Sequence, residues 1–267
     1  MALTLYCFPH AGGSANAYYG LKRLETALPG LTVNLYEYPG RGRKHREPCM
    51  LTMAALTDVL TGEILAENKG ETQAAVLLGH SMGAFVALEA AKRLEASPGF
   101  DVRAVIASGQ TTPFNINSHH SEKSDEQLIA YLKVLGGIPP IILEHPDYLS
   151  FFLTSVRADM ALLDAYEPAK DASRPKIQAP VHVFYGVSDP EIALNKLSDW
   201  QQVSASPINI RAFAGGHFYL FEHPASVEKA IGEILAACDP PFGEERKDCT
   251  HGNKAAVLGA GRALGHL

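Results

Sequence analysis

Basic residues are too few in this chain to make it a ready polyanion binder: 23 lysines and arginines stand against 29 aspartates and glutamates, a formal net charge of −6. Nucleic-acid binding needs a cationic stripe to neutralise phosphates, so the balance argues against that class, and an acidic partner would have to be met by a local basic patch. Cysteine is scarce too. The four, Cys7, Cys49, Cys238 and Cys249, are scattered without C-x-x-C spacing, which indicates neither a zinc site nor a disulfide framework and fits a reducing compartment. No apolar run approaches the roughly 18 residues of a membrane span. The N-terminus runs straight into Leu3-Thr4-Leu5-Tyr6-Cys7-Phe8, with no basic segment or cleavage site before it. A soluble, cytoplasmic monomer with no membrane or nucleic-acid partner is the expectation. Internal repeats and a G-x-G-x-x-G dinucleotide fingerprint are also missing, and His119-His120 is too isolated to suggest a metal site.

What is present suits a folded enzyme. Hydrophobic residues make up 46% of the 267 positions and charged ones 19%, enough apolar surface for one core with an inserted subdomain. Short apolar runs at 3–8, 32–37, 74–79, 102–107, 181–185 and 208–213 read as strands. Helical periodicity fills 15–28, 50–66, 82–95 and 224–237. The alternation predicts an α/β fold, a mostly parallel sheet with helices on both faces. It breaks between about 111 and 175, where two helical stretches replace one; the second, from Pro146 to about Tyr166, carries the apolar stripe Leu149, Phe152, Leu153, Val156, Met160 and Leu163. An insertion there would lie over the carboxyl edge of the sheet, as a lid or as a packed helical pair without a gating role. Residues 1–237 are expected to form the single domain, and 238–267, with no sustained periodicity, a flexible tail.

Gly79-His80-Ser81-Met82-Gly83 matches the G-x-S-x-G turn that carries a nucleophilic serine between a strand and a helix. Its context strengthens it: the buried strand 74–78 precedes it, and Ala84, Phe85, Ala87, Leu88, Ala91 and Leu94 form a helix face after it. The two glycines let strand and helix approach closely while the serine adopts a strained backbone. This points to the α/β-hydrolase fold.

A serine hydroxyl needs a general base, itself oriented by an acid, and on this fold the order along the chain is Ser, Asp or Glu, His. His217, in Ala214-Gly215-Gly216-His217-Phe218 after the last predicted strand, is the base; His223, just before Pro224, is the weaker competitor. Asp189, in Gly186-Val187-Ser188-Asp189-Pro190, is the acid, although Asp-Pro pairs also open turns. Asp159 and Asp164 are runners-up inside the second lid helix. The tetrahedral intermediate needs two N–H donors: the Met82 amide, directly after the nucleophile, and one from Phe8-Pro9-His10-Ala11-Gly12-Gly13, with Ala11 preferred and His10 close behind. The concentrated basic stretch, Tyr38-Pro39-Gly40-Arg41-Gly42-Arg43-Lys44-His45-Arg46, reads as a solvated loop, with phosphate or acidic-partner contact as the alternative.

Taken together, the segments at 8–13, 38–42, 79–83, Arg157-Ala158-Asp159 and 215–218 resemble the type II thioesterases of nonribosomal peptide and polyketide synthesis, across roughly residues 3–237. The resemblance implies hydrolysis of acyl or aminoacyl thioesters on the phosphopantetheine arms of acyl or peptidyl carrier domains, clearing misprimed or stalled groups. It carries the triad onto Ser81, Asp189 and His217 and the oxyanion donors onto Met82 and Ala11, with no metal and no cofactor beyond the arm of the substrate itself. A generic carboxylesterase or lipase would use the same triad.

Overall fold

A computed structural model describes residues 3–68, 70, 72–115, 119–167 and 176–238. The strands are β1 (Leu3–Phe8), β2 (Leu31–Leu35), β3 (Gln73–His80), β4 (Phe100–Ser108), β5 (Val181–Gly186) and β6 (Asn209–Phe213). They form one sheet in the order β2-β1-β3-β4-β5-β6, with every pairing parallel. Side chains alternate between the faces of a strand, and both faces here are covered. Leu3, Leu5, Cys7, Val76, Leu78 and Ile106 enter one apolar cluster, whereas Tyr6, Phe8, Ala75, Leu77, Val105 and Val183 enter the other. Burial on both sides is why these strands read as continuous apolar runs.

The helices are α1 (Arg23–Ala27), α2 (Met53–Glu67), α3 (Met82–Glu95), α4 (Asp125–Leu135), α5 (Pro140–Glu144), α6 (Pro146–Asp164), α7 (Tyr219–Glu222) and α8 (Pro224–Cys238). Helix α8 packs Val227, Ile231 and Leu235 on the first face, and α2 and α3 pack Leu56, Leu60, Phe85 and Leu88 on the other. The helix predicted over 15–28 is different: a 3-10 segment at Ala15–Lys22 leads into the single-turn-scale α1. Asn16, Tyr18, Tyr19 and Gly20 are weak helix formers, and Leu28, before Pro29, is extended, as its position requires.

Three helices, not two, stand in the insertion. Gly136-Gly137 and Pro139-Pro140 end α4, whose start is fixed by a capping box between Ser124 and Gln127. Pro140 and Pro146 then open α5 and α6 at positions where the missing N–H costs nothing. The stripe on α6 does enter the core: Leu153, Val156, Met160 and Leu163 are buried, with Leu149 and Phe152 packed beside them. The end of the insertion, 168–175, lies outside the described residues. The predicted tail begins one residue too early, because Cys238 is the buried last residue of α8; its remainder, 239–267, lies outside the described residues. Among the described residues no helix is long and apolar enough to cross a membrane.

Candidate active site

Ser81 sits between β3 and α3 with φ 54° and ψ −122°. Among the described residues it is the one non-glycine with positive φ, an arrangement that persists only where its surroundings fix it. They do so here by close packing and hydrogen bonding. A Cβ on Gly79 would fall 1.8 Å from the Gly83 carbonyl oxygen, and one on Gly83 would fall 2.1 Å from the Phe8 carbonyl oxygen. The Ser81 amide donates to the Ser108 carbonyl at 2.8 Å, tying the turn to β4.

His217 and Asp189 arrive from loops beyond the carboxyl ends of β6 and β5. The loops are stitched together: Val187 N–H donates to the Phe213 carbonyl at 2.9 Å and Ser188 N–H to the Gly215 carbonyl at 3.0 Å. The result is a 2.8 Å hydrogen bond between His217 Nδ1 and Asp189 Oδ2, both buried. Asp189 also makes the turn suggested by its Asp-Pro pairing, since its Oδ1 accepts from the Glu191 amide at 3.0 Å. His217 and Ser81 line the same cavity. His223 is exposed at the start of α8. Neither runner-up acid is the histidine's partner: Asp164 accepts from the Ser121 amide at 2.8 Å, and Asp159 has the separate role described below.

Two further histidines crowd His217. The His80 ring lies 5.2 Å from that of His217 and 6.1 Å from that of His10. His80 Nδ1 pairs with Ser108 Oγ at 2.9 Å, and His10 Nδ1 with Tyr18 Oη at 2.8 Å. Burial holds both neutral, pushing His10 down to about 3 and His80 well below the usual histidine range, with His217 adding to each effect. An imidazolium forming on His217 therefore meets uncharged neighbours.

The loop after β1 is held group by group. Tyr38 Oη donates to the Pro9 carbonyl at 2.8 Å, the His10 amide to Tyr18 Oη at 3.1 Å, the Gly12 amide to Asp159 Oδ2 at 2.7 Å and the Gly13 amide to the His10 carbonyl at 2.9 Å. Among the described residues the Ala11 amide has no acceptor, and Ala11 lines the cavity with Ser81. That choice separates Ala11 from His10, whose N–H is taken. The Met82 amide begins α3, where no intrahelical acceptor exists.

Asp159 is engaged by Arg41, the residue read from sequence as part of a solvated loop. Arg41 Nη1 and Nη2 meet Asp159 Oδ2 and Oδ1 at 2.5 and 2.6 Å, and the two side chains are each 5% exposed. Arg41 Nη1 also reaches the Gly13 carbonyl at 3.4 Å. Its guanidinium stands 5.3 Å over the Tyr38 ring. Lys44 pairs with Glu63, leaving Arg43, His45 and Arg46 exposed.

The cavity occupies about 240 Å³. Phe85, Leu132, Leu135, Met160 and Leu163 make its apolar wall, and Gln110, Thr111, His120 and Tyr131 add polar groups. Helices α4 and α6 thus roof the site. The His120 ring stacks on Tyr131 at 4.2 Å, and the Trp200 indole supports the wall from behind by donating to the Gln110 carbonyl at 3.1 Å. Met160 and Leu163 belong to the stripe that the sequence placed over the sheet edge; Gln110, Thr111, His120, Tyr131, Leu132 and Leu135 were missed, because nothing in their spacing links them to Ser81.

A family model described as a thioesterase domain matches residues 3–237. The probable cadicidin biosynthesis thioesterase of Streptomyces griseus is 33% identical over 235 residues, covering 88% of this chain; the chain spans 63% of that protein's length. Thioesterase PikA5 of Streptomyces venezuelae is 30% identical over 221 residues, 82% of this chain and 76% of the relative. Among solved structures, the type II thioesterase BorB from the borrelidin biosynthetic cluster superposes with a TM-score of 0.76 at 30% identity, covering 87% of this chain and 92% of that one.

Proposed function

The chain belongs to the thioesterase family, with the α/β-hydrolase fold, and from that membership we propose that it is a type II thioesterase. It hydrolyses acyl or aminoacyl thioesters on carrier domains of a nonribosomal peptide or polyketide synthase, in the cytoplasm, clearing misprimed or stalled groups. The observation that carries this reading is the 2.8 Å His217–Asp189 hydrogen bond at the wall of the cavity that Ser81 enters.

In this mechanism Asp189 holds the Nδ1–H tautomer of His217, leaving Nε2 to take the Ser81 proton as Oγ attacks the thioester carbonyl. The Ala11 and Met82 amides receive the oxyanion. The pantetheine sulfur leaves as the carbonyl re-forms and takes the proton from His217, which returns the imidazole to its neutral form; with a thiol pKa near ~8.5 the sulfur departs readily. Water then gives a proton to His217 and its oxygen to the acyl carbon; Ser81 recovers its proton and the free acid leaves. The triad and two amides supply this chemistry without a metal or a resident cofactor, the phosphopantetheine arm entering as part of the substrate. A cavity of about 240 Å³ is smaller than the roughly 300–1,000 Å³ of sites for drug-sized ligands, which favours short acyl groups.

The test is a panel of carrier proteins loaded with acyl groups of increasing length, assayed with wild type and Ser81→Ala. Short chains are expected to turn over fastest, with no turnover by the variant. Preference for the same acyl group as a simple oxygen ester would turn the assignment toward a carboxylesterase.

A further inference from the structure

We propose that Asp159, held by Arg41, is a positioning residue for the reaction: from helix α6 it fixes the Gly12 peptide and so aims the adjoining Ala11 amide at the oxyanion. The inference rests on the acyl-serine reading above and extends it to a residue that does not touch the reacting atoms.

The loop needs such a support. Ala11 is followed by Gly12, at φ +73°, and Gly13, two residues whose backbones have wide freedom. An oxyanion donor contributes only if it is already aimed when charge develops. The Gly12 amide, one peptide beyond Ala11, is bound at 2.7 Å by a carboxylate from 147 residues away, and bonds to a charged acceptor are roughly twice as strong as neutral ones. The Gly13 carbonyl is met by the same arginine that grips that carboxylate. The loop is therefore pinned immediately after the proposed donor.

Charge explains why the carboxylate comes with an arginine. A bare anion this close to the oxyanion hole would oppose the charge that the hole must stabilise. Paired through both oxygens with Arg41, Asp159 keeps its acceptor strength with its charge compensated. Stability does not account for the pair, because exchanging a buried ion pair for packed apolar residues is often neutral or stabilising. Helix α6 also supplies Met160 and Leu163 to the acyl cavity, so one rigid element sets both the wall that meets the substrate and the donor that meets its transition state.

The deciding protein is the double variant Arg41→Met with Asp159→Leu, which removes both charges together and the Gly12 acceptor with them. Its thermal unfolding is expected close to, or modestly below, the wild-type temperature, because losing the ion pair is near neutral while the Gly12 amide is left without its acceptor. Two ligands then separate aim from shape: an acyl trifluoromethyl ketone, whose adduct with Ser81 places an alkoxide in the oxyanion hole, and a thioether analogue of the substrate, which does not. We expect kcat and ketone affinity to fall together by about 10- to 100-fold, part of the roughly 100- to 1,000-fold that loss of a whole donor costs. KM and thioether affinity should stay near wild type. Unchanged kcat and ketone affinity, or an equal loss for both ligands, would overturn the proposal.

Should that protein not fold, Arg41→Gln with Asp159→Asn decides. It keeps an amide oxygen for the Gly12 N–H and removes both charges together, and the same selective loss is expected at about three- to tenfold, the scale of one ordinary hydrogen bond; equal losses for both ligands again reject the idea. Failure of the underlying reading looks different. A wild type without turnover, or Ser81→Ala protein with full turnover, would remove the acyl-serine mechanism and this inference with it.

Discussion

Asp189 divides its two oxygens between two tasks, and the division makes a sharp mutation possible. Oδ2 holds His217 Nδ1 at 2.8 Å, while Oδ1 accepts the Glu191 amide at 3.0 Å. Asp189→Asn can keep its oxygen on Glu191 and so preserve the turn, but it then offers His217 an NH2. The imidazole must accept at Nδ1 and carry its proton on Nε2, where it can no longer take one from Ser81. A fall in kcat of about 10³- to 10⁴-fold is expected, the scale such a tautomer error has in a serine protease, with little change in unfolding temperature; a steady-state assay on an acyl carrier within tenfold of wild type would refute the role. That Ser81, Asp189 and His217 come together at one edge of the sheet was legible because each lies just after a strand, in a segment with Gly or Pro punctuation. Asp159 as the partner of Arg41 was not. The two lie 118 residues apart, and an arginine among Arg43, Lys44 and Arg46 looks solvated until the helix that buries it is placed. The choice of Ala11 over His10 likewise depended on Tyr18, whose hydroxyl takes the His10 amide.

At the scale of elements, the turn at Ser81 depends on how closely α3 lies against β1. The strand's last carbonyl occupies the space that any side chain on Gly83 would need, at 2.1 Å, and neither backbone can step aside without breaking the sheet or the helix start. Gly83→Ala should therefore destabilise by about 3 kcal/mol, the upper end of overpacking costs, and should lower the fraction of Ser81 that a fluorophosphonate labels. Urea denaturation measures the first effect; a loss under 1 kcal/mol would mean that the approach is looser than these distances imply. Strands were readable from sequence because two covered faces leave continuous apolar runs, and every predicted strand lies within two residues of an observed one. Irregular helices were harder to see. The nine-residue 3-10 segment Leu194–Gln202 repeats its apolar residues every three positions, and its two buried ones, Leu197 and Trp200, make too short a run to stand out from a loop. Local propensity carries little of that information, since tertiary burial does the ordering.

For the molecule as a whole, histidines buried without charge set the response to acid. His182, near the amino end of β5, is 5% exposed, and its Nε2 has no partner among the described residues. Desolvation pushes it down to about 4, as it pushes His10 down to about 3 and His80 well below the ordinary range. Unfolding returns each ring to water and to a pKa near ~6.5. Below that value the unfolded chain binds protons that the folded one refuses, so stability must fall with pH, by about 1.4 kcal/mol per pH unit for each such ring until its folded pKa is reached. Carboxylates held below their usual range, such as Glu89 with its lysine and arginine neighbours, add to the loss only nearer pH 4. Between pH 6 and 5 the slope is thus set mainly by histidine. His182 is remote from the carboxyl edge that carries Ser81, which makes it the ring to remove. His182→Leu should flatten the dependence of unfolding free energy on pH in that interval by about 1.4 kcal/mol per unit and leave turnover at neutral pH unchanged. Urea titrations at closely spaced pH values measure that slope directly, and a variant as acid-sensitive as wild type would show that this ring is already protonated, or already solvated, in the folded chain.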